Sequence, residues 1–405
     1  MRITMIDRRV VAKLECERYR KAGKKEKGRI LDEFVKTAKC SRYHARWLLR
    51  NHGRRVEVKP LVFVEGDARK RVRQRRKKEY GPELLPPLKR LWEMLDFICG
   101  KRLVAALREV LPRLVACGEL RLRKSVQKRL LDMSASTIDR LLKTEREKYR
   151  LKKRRGGTKP GTLLKHQVPV RTYDDWNEAQ PGFLEMDLVA HDGGTASGDY
   201  CHTLDMTDVA TGWTEQRAVL NKAEKWVFEA IGDLRRELPF PVRGLDSDNG
   251  TEFINHHLVR YCTLEKITFT RARPYRKNDT CYVEQKNWSI VRRFAGYARY
   301  EGQNVCNTLN ELYRILHDYN NFFLPSMKLK EKTRDGARVR KRYHDAQTPY
   351  HRLMQSPGVD TNTKNRLRRY YQRLNPAHLY RQIQRLQQRL RKLSLSPQRT
   401  QERAA

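Results

Sequence analysis

The stretch "GFLEMDLVAHDGGTASGDYCHTLDMTDVATGWTEQRAVL" (182–220) decides the fold. β-Branched and apolar residues alternate with polar ones in three runs, 182–192, 199–211 and 213–220, and "ATG" at 210–212 joins the last two, so the segment reads as a three-stranded meander. Downstream, the period changes. "KAEKWVFEAIGDLRREL" (222–238) has the spacing of an amphipathic helix, "PVRGLDS" (241–247) a short strand, "TEFINHHLVRYCTLE" (251–265) a helix and "KITFTRA" (266–272) a strand. After a polar loop, "YVEQKNWSIVRRFAGYARY" (282–300) reads as a long helix. A meander followed by alternating helices and strands predicts an α/β domain built on a mixed sheet.

The 405 residues hold 88 Lys plus Arg against 47 Asp plus Glu, a formal net charge of +41. An imbalance of that size points to a polyanionic partner, nucleic acid above all. A membrane surface is the competing partner, but no apolar run approaches about 18 residues and the N-terminus lacks a signal-peptide pattern. The expectation is a soluble, cytoplasmic, nucleoid-associated protein with no membrane contact. The eight cysteines are scattered without a C-x-x-C pair, and the neighbours His256 and His257 cannot both face one ion from a regular helix, so no zinc site is read.

Charge is unevenly distributed. Residues 1–160 carry 48 Lys/Arg against 19 Asp/Glu and residues 301–405 carry 22 against 8, whereas residues 181–250 carry 6 against 13. An acidic island opposes a phosphate ligand unless divalent cations bridge carboxylate and phosphate.

Before the meander the chain reads as helical to about residue 150, with two helix-turn-helix patterns. In 24–51, Ile30, Leu31, Phe34, Val35 and Ala38 form an apolar stripe, a break follows at Lys39-Cys40, and Ser41 can cap a second helix. In 124–147, Val126, Leu130 and Leu131 end at a short turn. Ser134 can cap the next helix, and Ser136 and Asp139 have capping-box spacing. That helix would present Ser136, Thr137, Arg140 and Lys143 outward, residue types that read base edges and grip phosphates. The expected division is a helix-turn-helix DNA-binding region at 1–67, a second helical DNA-binding region at 68–150, a basic Gly/Pro linker at 151–175, the α/β core at 176–300 and a mainly helical basic C-terminal region at 301–405. Within the last, Leu379, Ile383, Leu386, Leu390 and Leu393 are spaced either for packing on the chain's own core or for self-association.

Three acids in the core stand where a scaffold could hold them. Asp187 is mid-strand among apolar neighbours, Asp248 lies just past the strand 241–247, and Glu284 opens the long helix. A two-metal phosphoryl-transfer site needs such carboxylates to converge from different elements on ions roughly 3.5 to 4 Å apart. Strand alternation puts Asp246 beside Asp248, and Glu185 beside Asp187, so period alone does not choose within either pair.

The blocks "PGFLEMD" (181–187), "LDSDNGTEF" (245–253) and "RPYRKNDTCYVEQKN" (273–287), with 35 residues between Asp248 and Glu284, resemble the signatures of the integrase-core DDE recombinases. These are bacterial insertion-sequence transposases and, more distantly, retroviral integrases. The resemblance spans about residues 180–300 and extends weakly to "TPYHRLM" (348–354). It implies an RNase H-like core with the first acid on the central strand, the second after the fourth strand and the third on a helix. It implies Asp187, Asp248 and Glu284 as catalytic metal ligands, the aspartate directly before Asn249-Gly250 being the ligand and Asp246 a supporting residue. It further implies two divalent ions, Mg2+ or Mn2+, and double-stranded DNA, both element ends and target, as partner to a homo-oligomer. Asn287 sits where the family often places a DNA-contacting polar side chain, while Trp288 and Val291 replace lysines of retroviral integrases. Arg271, Arg273, Tyr275, Arg276 and Lys277 lie ahead of Glu284, positioned to hold the scissile strand. Three functions fit the sequence: a transposase that cuts and joins DNA, a DNA-binding regulator derived from one, and a metal-dependent nuclease that cleaves without joining.

Overall fold

The computed structural model describes residues 5–60, 62–65, 72–73, 80–148, 180–248, 250, 252–273 and 280–394. The chain divides into two compact units, Met1–Gly81 and Pro82–Ala405.

In the first unit, α1 (Met5–Lys21), α2 (Lys24–Ala38) and α3 (Arg42–Asn51) enclose a core of Ala12, Tyr19, Ile30, Leu31, Phe34, Ala38, Ala45, Leu48 and Leu49. The α2–α3 turn follows the local chemistry of the sequence. Lys39 adopts the left-handed conformation with φ 46°, which ends α2, and Ser41 Oγ accepts the His44 amide at 3.3 Å, which starts α3. An all-helical segment was expected, but β1 (Arg55–Lys59), β2 (Val62–Glu65) and β3 (Val72–Arg73) form an antiparallel sheet. Valines alternate with charged residues there, a period-2 signal that the surrounding basic run obscures.

The second unit opens with α4 (Leu85–Met94), α5 (Gly100–Ala116), α6 (Lys124–Leu131), α7 (Ala135–Leu141) and α8 (Lys143–Lys148). Ser134 caps α7, its Oγ accepting the Thr137 amide at 3.2 Å. The Ser136–Asp139 capping box does not form, because Asp139 accepts the Gly100 amide at 2.8 Å at the start of α5 and pairs with Arg146 at 2.6 Å.

A five-stranded sheet follows: β4 (Phe183–Ala190), β5 (His202–Asp208), β6 (Thr214–Val219), then α9 (Glu224–Glu237), β7 (Gly244–Ser247), α10 (His256–Leu264) and β8 (Thr268–Arg271). The spatial order is β6-β5-β4-β7-β8. The meander strands pair antiparallel, while β4–β7 and β7–β8 are parallel. The mixed α/β core is therefore as the sequence predicts, with Asp187 on the central strand and Asp248 directly after the fourth. Gly244 lies opposite Phe183 in the β4–β7 register, and a Cβ there would stand 2.1 Å from the Phe183 ring, so only glycine lets these two strands close. At the other edge, Asn310 brackets Ala218 of β6, its Oδ1 accepting the amide at 2.8 Å and its Nδ2 donating to the carbonyl at 3.0 Å. Asn321 does the same to Thr214, at 3.0 and 2.9 Å. Side-chain amides thus occupy backbone groups that an edge strand would otherwise offer to another chain.

Two helix boundaries differ from expectation. α10 begins at His256, not 251, because Asn255 caps it by accepting the Leu258 amide at 2.8 Å. The helix expected over 282–300 comprises α11 (Cys281–Lys286) and a π-helical turn at Asn287–Arg292. Gly296, at φ 85°, turns the chain out of it, so that Tyr300 can hydrogen-bond His191 and Cys201 at 3.2 and 2.8 Å alongside the sheet.

The remainder contains α12 (Gln303–Asp318), which runs into a π-helical turn at Tyr319–Phe323, then β9 (Leu329–Asp335), β10 (Arg338–Tyr343), α13 (Pro349–Gln355), α14 (Thr361–Arg373) and α15 (Pro376–Leu393). The β9–β10 hairpin adds a pair of strands to a region expected to be mainly helical. Its strands carry charge on both faces, so no apolar alternation announces them. On α15, Leu379, Ile383 and Leu390 are buried and the helix packs on α12, which uses the leucine stripe within the chain. The opening helices join the same unit: Arg293 pairs with Asp96, the Tyr319 hydroxyl donates to the Met94 carbonyl at 2.5 Å, and the Arg113 guanidinium lies 4.0 Å from the Tyr371 ring centroid. No helix among the described residues is long and apolar enough to cross a membrane.

Candidate active site

The β4–β7 register is what assembles the acids. Glu185 lies opposite Asp246 and Met186 opposite Ser247, so one further step along both parallel strands sets Asp187 beside Asp248. Four carboxyls therefore stand in two layers on one face of the sheet.

The inner layer is fully buried. Glu185 Oε2 accepts the amides of Tyr282 and Val283 at 2.8 and 2.9 Å, pinning the start of α11 to the central strand. Burial pushes its carboxyl well above the usual range, and the charges of Asp246 and Glu284 add to that, against the two amides. The Thr270 hydroxyl donates to Asp246 Oδ1 at 2.5 Å, tying β7 to β8. These two acids are occupied in holding elements together.

The outer layer is partly exposed. Burial, then the adjacent charge of Asp248, raise Asp187 to about 7, against hydrogen bonds from the Leu188 amide at 2.8 Å and the Asn287 side chain at 2.5 Å. Burial also raises Asp248, whose Oδ1 accepts the Gly250 amide at 2.9 Å. That bond folds the chain back just beyond β7. Asn249 itself lies outside the described residues.

Glu284 is exposed on α11. It lies three residues before Asn287, a spacing that puts the two on one helix face. Because Asn287 reaches Asp187, that face is turned toward the acids. Among the described residues, no three His, Cys, Asp or Glu side chains stand close enough to hold an ion together, but Asp248 is near enough for its charge to raise Asp187.

Two neighbours were not singled out in the sequence. Asp205 lies opposite Asp187 on β5 and accepts from Thr214 and Gln216 at 3.0 and 3.1 Å, with burial raising it to about 7. Lys286 on α11 is lowered to about 8 by burial, with Asp205 drawing it back up. Strand alternation from Glu185 and Asp187 marks Glu185, but only the β4–β5 register could have found Asp205. The three oxygens Glu185 Oε1, Asp205 Oδ2 and Asn287 Oδ1 are buried acceptors without a donor among the described residues.

Around this centre, Arg273 is exposed and Arg271 half-buried at the end of β8, while Arg276 and Lys277, with Tyr275, lie outside the described residues. Asn287, expected as a DNA contact, donates its side-chain amide to Asp187. Next to it Trp288 is exposed and Val291 is buried. Ser136, Arg140 and Lys143 are exposed on or just past α7 and Thr137 is half-buried. Arg140 donates to the Ser136 carbonyl and the Thr137 hydroxyl at 3.1 and 3.2 Å, which lays its guanidinium along the helix.

No family model matches the chain. It is 41% identical over 349 residues to the uncharacterized protein y4rM of Sinorhizobium fredii, covering 86% of this chain and 95% of that protein. The chain belongs to the same family as y4rM. Among solved structures, 43% of the chain aligns with 95% of the catalytic core domain of BIV integrase at 20% identity and a TM-score of 0.30. A likeness that slight does not bear on function.

Proposed function

We propose that this member of the y4rM family is a DNA transposase that cleaves and joins DNA strands by a DDE mechanism, with Asp187, Asp248 and Glu284 as its metal ligands. The observation that carries the proposal is the Asp187–Asp248 pair, two partly exposed carboxyls set side by side by the parallel β4–β7 register, close enough for one to raise the other. In a chain of net charge +41, an acidic pair at the end of the central strands with no ion pair among the described residues is hard to account for as a structural device.

Mg2+ or Mn2+ fits the donors present. All are hard oxygens, three buried oxygens there have no donor among the described residues, and like charges at Asp187 and Asp248 call for a cation. When bound, such ions would activate a water or a DNA 3'-hydroxyl for in-line attack and neutralise the leaving oxygen. The protein's part is positioning. Asn287 orients Asp187 through a hydrogen bond that favours its ionised form. Glu185 anchors α11 by its first amides and so sets where Glu284 points. Glu284 would complete the ligand set when α11 and the DNA strand close on the pair. In this reading Arg271, Arg273, Arg276 and Lys277 hold the scissile strand, and exposed Trp288 offers a face for base stacking. The helix pair α6–α7, through Ser136, Thr137, Arg140 and Lys143, and the pair α2–α3 take the element ends. Joining two ends to a target calls for a homo-oligomer on DNA.

A strand-transfer assay tests the proposal, using labelled duplexes cut from the DNA that flanks the gene, with Mg2+ or Mn2+. Joined product is expected. Cleavage without joining would make the chain a nuclease, and binding without cleavage a DNA-binding regulator.

A further inference from the structure

We propose that the β9–β10 ribbon is an arm that grips duplex DNA beside the active site, a proposal that rests on the DNA-processing function above. Among the described residues the two strands pair only with each other, as a separate two-stranded sheet, and every residue of β10 is exposed. Residues 329–343 carry seven basic side chains, Lys330, Lys332, Arg334, Arg338, Arg340, Lys341 and Arg342, against two acids, Glu331 and Asp335.

The register sorts this charge between two faces. On one, Arg338 lies opposite Asp335 and Arg342 opposite Glu331, with 3.4 Å between the Arg342 and Glu331 charges. Two of that face's three arginines are thus matched by an acid, while Arg340 lies opposite Thr333. On the other, Lys341 and Val339 of β10 are exposed, and the register sets no acid opposite either. Val339 and Tyr343 are 44% and 48% exposed, apolar surface that water does not favour and that base edges and sugars accommodate.

An isolated hairpin of this size is marginal in water, yet this one is held firmly at its root. The His344 amide donates to the Lys328 carbonyl at 2.9 Å, Ser326 and Gln347 form a bridge, and Arg352 donates to Ser326 Oγ at 2.8 Å and to the Thr211 carbonyl at 3.0 Å. Lys328 Nζ donates to the carbonyls of Val209 and Ala210 at 2.8 and 2.7 Å, fixing the root to the β5–β6 turn. The same ammonium lies 6.0 Å from the ring centroid of Tyr282, two residues before Glu284. The arm therefore springs from beside the helix that carries the third acid. Six or seven strand residues span about 20 Å, and a two-stranded ribbon fits the major groove of B-DNA, about 12 Å wide. The deep, narrow major groove of duplex RNA does not admit it.

The test is duplex binding by the full chain in EDTA, followed by fluorescence anisotropy over a range of salt on a labelled random-sequence DNA. Working without metal keeps it independent of catalysis, so absent cleavage would sink the transposase proposal and leave this one standing. The variant Lys330→Glu/Lys341→Glu is compared with Arg366→Glu/Arg369→Glu on α14, an identical charge change at exposed positions, and thermal unfolding establishes that both fold. The ribbon variant is expected to bind at least about tenfold more weakly, with a log–log salt slope shallower by roughly two, while the α14 variant binds nearly as wild type. Equal losses in both variants, unchanged DNA binding by the ribbon variant, or a loss seen only with duplex RNA or anionic vesicles would overturn the proposal.

Discussion

The side-chain amide of Asn287 donates to Oδ2 of Asp187, joining the helix of the third acid to the strand of the first. Groups that orient a metal ligand typically matter about 10–100-fold in metal affinity or activity. Asn287→Ala is expected to lower strand joining by that order, or to raise the Mg2+ concentration required, while the melting temperature holds. A DNA-affinity loss with an unchanged metal requirement would assign Asn287 to DNA contact instead.

Glu185 and Asp187 occupy the same strand face but do different work. If Glu185 serves to bind the Tyr282 and Val283 amides, an amide oxygen can replace its carboxyl. Glu185→Gln should leave stability within about 1 kcal/mol of wild type, whereas Glu185→Ala, which orphans both amides, should cost about 1–3 kcal/mol. Urea unfolding of the two variants measures this.

His317 Nδ1 lies 2.8 Å from buried Glu215, which also accepts the Trp213 indole N–H at 2.7 Å. Burial lowers the imidazole pKa, but the Glu215 carboxylate outweighs it and the value stands at about 9. A group raised on folding contributes stability that is full below its unfolded value, about 6.5, and is lost as pH rises through 9. Stability should therefore fall by up to roughly 3 kcal/mol between pH 6 and pH 9.5. His317→Gln should flatten that portion of the profile; an unchanged slope in the variant would assign the dependence to other groups.

Gly244 faces the Phe183 ring with no space for a Cβ. Gly244→Ala is expected to cost at least about 1–3 kcal/mol through overpacking, and Phe183→Leu in the same chain should recover part of it. A double-mutant cycle on denaturation midpoints reads the coupling, and purely additive effects would contradict the packing argument.

The core was legible because its signals are local. The alternation in 182–220 gives the meander and the change to helical spacing gives the alternating elements, while Ser41, Ser134 and the break at Lys39 carry their own cap chemistry. Long-range choices were not legible. Nothing near Asp139 reveals that the amide of Gly100 will claim it, and nothing near Tyr300 reveals that it must pair beside His191. The β9–β10 ribbon escaped because a strand charged on both faces lacks the apolar period that marks strands. At the site, strand alternation left Asp246 against Asp248 and Glu185 against Asp187 undecided, and only the resemblance of the blocks chose Asp187 and Asp248. The structure separates each pair by depth, since the inner member of each holds neighbouring elements and the outer member is partly open to solvent.

The most direct measurement follows from that separation: strand joining by Asp248→Asn compared with Asp246→Asn on duplexes cut from the DNA that flanks the gene, in Mg2+. The account predicts that Asp248→Asn abolishes joining with its fold intact, while Asp246→Asn, which can still accept from Thr270, retains joined product with some loss of stability. Joining that survives in Asp248→Asn would contradict it.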